Sequence, residues 1–396
     1  MHPSELLAQP VQLGPLTARN RIVMPPLVIW QADESGTVTP EHLAHYSRSG
    51  GPGLMIVEAT TIAPEGRLAA TQLGIWSEDH LPGLSSLAEA IHATGALAGI
   101  QIHHAGGSTS TRKTYGLAPR VPTLLETSPE GAIEFTTSEI DAIVEGFANA
   151  TGRALQAGFD VIELHGAHAY LISQFLSPET NRRTDVWGGS ADKRRALMVA
   201  VIRAARAQIT GAGRDESAAL TIRLGIAASA PRELPVDEGL AAAIAAVDAG
   251  VDFLDVSNGG GVDEPLAEEI RRRAAPIVGE RVASESTPTL LLAALTRSAV
   301  GVPVVGVNGI MTPEHAATAI DAGVADLTAV GRGILADPRW APKALGTAAE
   351  PIEICRECQP RCFWFANPSK CPSRRQLAKR GEQPAVTLTA GPNGPQ

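Results

Sequence analysis

The feature that most constrains this chain is a rhythm. Short runs rich in Val, Ile, Leu and Thr recur at Ile22 to Val28, Leu54 to Glu58, Ala98 to His103, Asp160 to Leu164, Ala219 to Leu224, Phe253 to Val256, Val302 to Val307 and Leu327 to Val330, with Ala-rich helical stretches between them. That alternation is the pattern of repeated βα units on a parallel sheet. The helices expected over Ser138 to Ala157 and Val236 to Ala249 each run up to a glycine, Gly158 or Gly250, which readily takes the left-handed conformation that ends a helix. Eight such units favour a closed (β/α)8 TIM barrel. No G-x-G-x-x-G follows the first strand, where a doubly wound dinucleotide-binding sheet would need glycines beneath a pyrophosphate.

Length does not decide the domain count, because barrels absorb well over ~250 residues as one unit. The rhythm stops after Asp337-Pro338. We therefore divide the chain into a barrel over residues 1–345, a Cys-rich segment over 346–380 and a polar, Pro/Gly-rich tail over 381–396 that is expected to be disordered. Within the barrel, Gly106 to Pro129 is long and rich in Ser, Thr, Gly and Pro, and it reads as a lid or substrate loop at the mouth.

Charge and patterning exclude several function classes. A net charge of −9, from 42 acidic against 33 basic residues, offers no footprint for DNA or RNA. The longest apolar stretch, Ile22 to Trp30, contains two prolines and falls far short of the ~20 residues of a bilayer span. The N-terminus has neither a basic region nor a continuous apolar one, so no membrane association and a cytoplasmic location are expected. All four cysteines lie between Cys355 and Cys371, which points to metal rather than to a secretory disulfide framework.

In a barrel, reactive groups sit at the C-terminal ends of strands. After the fourth run come His165, His168 and Tyr170: two imidazoles three apart and a phenol two further on, able to bind an oxyanion and deliver a proton. On spacing alone an H-x-x-H is as often structural or metallic as catalytic. Late in the chain, Asn308-Gly309 and Gly331-Arg332-Gly333 close the seventh and eighth runs, where backbone N–H groups beside an Arg suit a phosphate monoester. The pattern Cys355-x2-Cys358-x3-Cys362-x8-Cys371 suits either tetrahedral zinc or a 4Fe-4S cluster.

The run from Glu163 to Ser190, with Arg19-Asn20-Arg21-Ile22-Val23-Met24, Gly331-Arg332-Gly333 and Asp337-Pro338, resembles the Old Yellow Enzyme family of NADH:flavin oxidoreductases over most of the chain to about residue 340. The resemblance implies bound FMN, with NAD(P)H as electron donor. It implies that His165 and His168 hold the substrate's activating group while Tyr170 gives the proton. It places Pro26 and Leu27 along the flavin ring, Ala59 at its edge, Gln101 on its pyrimidine and Arg223 at the N1/O2 edge, where a cation stabilises the anionic reduced flavin. Asn308, Gly309, Gly331 and Arg332 would hold the phosphate. A buried ion pair is the alternative role for Arg223.

The chain departs from the family at Gly107, where Arg is usual, and at Val28 and Trp30, where Cys or Thr and Tyr often tune the flavin. The cysteine segment resembles the cluster of 2,4-dienoyl-CoA reductase and trimethylamine dehydrogenase, which favours 4Fe-4S over zinc. The implied activity is hydride transfer from NAD(P)H through FMN to an activated C=C bond. The other readings are a dehydrogenase or demethylase-like enzyme passing electrons to a separate carrier protein, and a flavin-binding subunit of a larger complex. A homo-oligomer is expected.

Overall fold

Eight parallel strands close on themselves in the computed structural model, which describes residues 1–359 and 362–382. They are β1 (Ile22–Met24), β2 (Leu54–Thr61), β3 (Leu97–His103), β4 (Val161–Gly166), β5 (Ala219–Gly225), β6 (Phe253–Ser257), β7 (Val304–Val307) and β8 (Leu327–Ala329). Each pairs with its neighbours in sequence, and β8 returns to β1 through Thr328 opposite Ile22. Closure leaves no barrel strand with an unpaired edge. Because helices cover the outside and side chains fill the inside, nearly every strand residue is buried. That is why the strands read as continuous apolar runs rather than as alternations.

The covering helices that matter here are α1 (Pro40–Arg48), α2 (Leu81–His92), α3 (Thr137–Gln156), α4 (Ala196–Gly211), α5 (Val236–Ala249), α6 (Glu264–Val278), α7 (Pro288–Ala299), α8 (Pro313–Asp321) and the short α9 (Arg332–Ala336). Helix α3 shows how the sequence sets such an element. The Thr136 hydroxyl accepts from the Glu139 amide while the Glu139 carboxylate takes the Thr136 amide, a reciprocal cap. Ile140, Ile143, Phe147 and Ala154 then form the buried stripe, at three- and four-residue steps or their sum. The chain turns out at Gly158, with φ +98°. Helix α5 ends in the same way at Gly250, with φ +115°.

Strand ends depart from the sequence expectation where proline intervenes. Strand β1 stops at Met24 rather than Val28, since Pro25 and Pro26 have no N–H for a ladder, and β7 starts after Pro303. Strand β2 runs on to Thr61 with a register shift between Val57 and Thr60 that marks a bulge around Glu58 and Ala59. An antiparallel hairpin, Val11–Leu13 with Leu16–Ala18, plugs the N-terminal end of the barrel. Its Leu13 and Ala18 pack with Val23, Leu54, Val161, Ala219, Phe253, Val305 and Leu327. The opposite end is left for chemistry.

The Cys-rich segment docks onto the barrel. Buried Asp337 receives Lys343 Nζ at 2.8 Å and the Glu353 amide at 2.9 Å, and Lys343 also reaches Glu382 at 2.9 Å. Trp364 is buried against Ile29 and Leu335, with the His45 ring 5.8 Å away and the Arg374 guanidinium 5.1 Å over it. The rest of the expected tail, 383–396, lies outside the described residues. Among the described residues no helix is long and apolar enough to cross a membrane.

Candidate active site

Polar side chains cross the C-terminal half of the barrel on adjacent strands. Gln101 on β3 stands opposite Glu163 on β4, and its amide donates to Glu163 Oε1 at 2.8 Å. Arg223 on β5 stands opposite both His165 and Asp255. It donates Nε to Asp255 Oδ2 at 3.0 Å, with Nη2 on the same oxygen. Burial holds the Glu163 carboxyl well above the usual carboxylate range, and Asp255 adds to that effect. Burial works against the Arg223 cation, yet Asp255 and then Glu163 outweigh it and raise its pKa. The ion pair weighed as the alternative role for Arg223 is present, and the residue also lines the central cavity.

The clamp residues converge. The Ala167 amide donates to His165 Nδ1 at 3.3 Å, so a neutral His165 carries its proton on Nε2. That nitrogen lies 3.4 Å from His168 Nδ1, which must accept, and His168 Nε2 then donates to Ser257 Oγ at 2.8 Å. Burial keeps both imidazoles neutral: it depresses His168 to about 3 and pushes His165 well below its ordinary value. The 3.4 Å contact is long for a hydrogen bond, so a ligand oxygen can take its place at little cost. Tyr170 meets His165 edge-on with centroids 4.9 Å apart, and burial raises its phenol to about 12, so it is a protonated donor at neutral pH.

The backbone here is held in an uncommon form. His168 and Ala169 have φ of +57° and +58°, a region that costs a non-glycine residue about 1 to 2 kcal/mol each. The His168 amide is held by the Asn258 carbonyl at 3.1 Å, which ties the turn to the end of β6.

A cavity of about 310 Å³ opens beside the clamp. Seven of the nine expected cofactor residues line it: Pro26, Leu27, Arg223, Asn308, Gly309, Gly331 and Arg332, joined by His168 and Ser257. Asn308 and Gly309 have φ of +89° and +77°, which turns the chain sharply away from β7. The donor set suits FMN, with an apolar wall at Pro26 and Leu27, a cation at Arg223 and a glycine-rich rim with Arg332 for an anion. Ala59 and Gln101 stand back from this cavity, Ala59 in the β2 bulge and Gln101 tied to Glu163.

Sequence reasoning missed His103 and Ser257. Ser257 completes the His168 tautomer. His103, two residues past Gln101 and so on the same strand face, makes ring contacts with Tyr170 and His165 at 4.7 and 5.3 Å. The strand period from Gln101 was the available signal.

The loop Gly106 to Pro129 does border a cavity, of about 170 Å³, closed on its other side by Gln174, Pro231 and Arg232. A side chain at Gly107 would begin 2.7 Å from Val121 Cγ1, so Val121 fills the space that the usual Arg would need and glycine fits here. The four cysteines are half-buried and free. Burial raises the Cys355 thiol, with Cys362 and Cys358 adding to it; burial likewise raises Cys371, with Cys362 adding. They are thus within electrostatic reach of one another. Among the described residues no three ligand side chains are gathered closely enough to hold a single ion.

Comparison with known proteins identifies the family. The sequence is 36% identical over 360 residues to an NADH oxidase of Thermoanaerobacter brockii, covering 89% of this chain and 52% of the relative, so the chain spans about half that protein's length. It is 35% identical over 368 residues to an NADPH dehydrogenase of Geobacillus thermodenitrificans, covering 89% of this chain and 98% of the relative. The fold superposes on an Old Yellow Enzyme homologue from Zymomonas mobilis with a TM-score of 0.71 at 25% identity, covering 88% of this chain and 94% of that one. Residues 6–348 match the NADH:flavin oxidoreductase / NADH oxidase family, and the chain belongs to it, as an FMN-dependent oxidoreductase of the Old Yellow Enzyme type.

Proposed function

We propose that the chain reduces activated C=C bonds with electrons from NAD(P)H. The observation that supports this most is the neutral imidazole pair, His165 and His168, with protonated Tyr170 in ring contact beside a cavity walled by Pro26, Leu27 and Arg223. FMN, when bound, supplies a hydride acceptor for the nicotinamide and a hydride donor for the substrate. His165 Nε2–H turns from His168 to the oxygen of the substrate's carbonyl, nitro or thioester group. As the β-carbon takes hydride, the Tyr170 hydroxyl gives its proton to the α-carbon, and the clamp stabilises the charge that gathers on the oxygen. The alkene gains one hydride and one proton, and NAD(P)H is oxidised to NAD(P)+.

The Cys segment favours a second reading, in which electrons also pass between the flavin and a carrier protein through a 4Fe-4S cluster. Its support is the spacing Cys355-x2-Cys358-x3-Cys362-x8-Cys371, which suits four thiolates on a cluster and resembles that of 2,4-dienoyl-CoA reductase and trimethylamine dehydrogenase. Anaerobic mixing separates the two. NADPH should bleach the flavin band and 2-cyclohexenone should restore it; a band restored only by a one-electron acceptor would replace alkene reduction with the carrier reading.

A further inference from the structure

Beneath the clamp the barrel buries two carboxyl groups that the mechanism does not use. Glu163 on β4 and Asp255 on β6 are both fully enclosed. They flank β5, where Glu163 stands opposite Thr221 and Asp255 opposite Arg223, two residues apart on one strand face. Alternate strands of a barrel fill one layer of its interior, so these two side chains meet across β5. His165 and Ser257 lie two positions further along the same strands, which puts the carboxyl pair one layer below the clamp.

Each carboxyl has one oxygen with a donor and one without. Glu163 Oε1 takes the Gln101 amide at 2.8 Å, and Asp255 Oδ2 takes both nitrogens that Arg223 offers it. Glu163 Oε2 and Asp255 Oδ1 receive nothing, although both are sealed from solvent. Thr221, the hydroxyl on the strand between them, donates to the Phe253 carbonyl at 2.7 Å and is already committed. The two carboxyl groups stand within hydrogen-bond reach of one another. Two ionised carboxylates in such a place repel one another at high cost, whereas one proton set between them satisfies both bare oxygens at once. It also leaves a single negative charge against the single positive charge of Arg223.

Arg223 lines the central cavity, and its Nη1 takes part in neither bond to Asp255. We propose that Glu163 and Asp255 hold one shared proton, and that Glu163 is a positioning residue which, through Asp255 and Arg223, sets the positive charge met by the flavin as it is reduced. With the proton in place the triad is neutral and its guanidinium end faces the cavity. Without it, an uncompensated negative charge stands behind Arg223 and opposes the charge that reduction puts on the flavin. Reduction therefore favours the protonated pair, with the proton drawn from solvent. Among the described residues the groups around Glu163 are Gln101 and neutral His103 from β3, Arg223 from β5, Asp255 from β6 and neutral His165 on β4 itself. The inference goes beyond alkene reduction and holds whichever substrate takes the electrons.

The test is infrared spectroscopy of the FMN-loaded full chain, with flavin midpoint potentials measured beside it. At neutral pH the wild type should show a carboxylic-acid C=O band that shifts in heavy water. Glu163→Gln, whose amide can donate to Asp255 and whose carbonyl can accept from Gln101, should lose that band and keep FMN. Asp255→Asn should lose it too, because Glu163 is then the sole counter-charge to Arg223 and ionises; one variant decides the assignment should the other not fold. As pH is raised until the wild-type band fades, flavin reduction should take up as much as one proton more in the wild type than in Glu163→Gln, read from the slope of potential against pH. A wild type without the acid band would mean that water bridges two ionised groups, and a band that persists in the variants would put the proton elsewhere. Either result overturns the proposal, as do equal slopes in the wild type and Glu163→Gln. Alkene turnover enters none of these measurements, so a failure of the reductase reading would show separately.

Discussion

Arg332 Nη2 lies 3.1 Å from Glu357 Oε1, so the guanidinium expected at the cofactor phosphate is held by the loop between Cys355 and Cys358. The rim of the central cavity and the cysteine segment share this residue. Arg332→Ala removes a charge-assisted contact of about 1.5 to 3 kcal/mol, roughly tenfold to a hundredfold in FMN affinity. Dialysis followed by flavin absorbance measures it; wild-type retention would move the phosphate elsewhere.

The clamp should be separable from flavin reduction. His165→Ala and His168→Ala are expected to lose the binding of phenolic ligands over the flavin while NADPH oxidation by oxygen continues. A phenol titration in which both variants match wild type would make the pair structural.

Tyr170→Phe should slow reduction of a weakly activated enone by roughly a hundredfold to ten-thousandfold, the usual worth of a general acid. A nitroalkene should be spared, because a nitronate can leave unprotonated. Stopped-flow rates that fall equally for the two substrates would show that proton delivery by Tyr170 is not what distinguishes them.

Acid should destabilise this fold through its histidines. Burial holds His45, His104 and His168 at about 3, and His103 and His165 well below their ordinary value. Below about pH 6.5 the unfolded chain takes up protons that the folded chain refuses. Their neutral burial is therefore fully tolerated above that pH and costs stability as pH falls toward 3, at up to about 1.4 kcal/mol per pH unit for each group. Glu163, whose carboxyl is raised, works in the opposite sense as one group against five. Urea midpoints should drop between pH 7.5 and 5.5; a flat profile would mean that these imidazoles reach water.

For the metal, iron and acid-labile sulfide near four each per chain are expected on anaerobic purification. Cys358→Ser should then keep FMN and stop electron exchange with a carrier. One zinc per chain without sulfide would recast the segment as a structural clip, and the same variant would lower thermal stability instead.

The barrel was legible because helix stops and apolar runs are local signals. Val236–Ala249 was bounded at both ends by Pro235 and Gly250, and β1 was misjudged only where two prolines cut an apolar run short. The site was legible only in part, because it is made by partners distant in sequence. His168 could be named, but not the Ser257 hydroxyl that fixes its tautomer 89 positions later. In the pair His103-His104, the strand period from Gln101 picks out His103, but its ring contacts with Tyr170 and His165 depend on pairing between β3 and β4. Gln101 was expected on the flavin, and its bond to Glu163 depends on a register that a single strand does not reveal.

The seat of Trp364 has a consequence for how the protein matures. Ile29 and His45 come from the first βα unit and Leu335 from the last, so the pocket for this indole does not exist until the two ends of the barrel have met. The tryptophan acts as a latch that can engage only a finished ring.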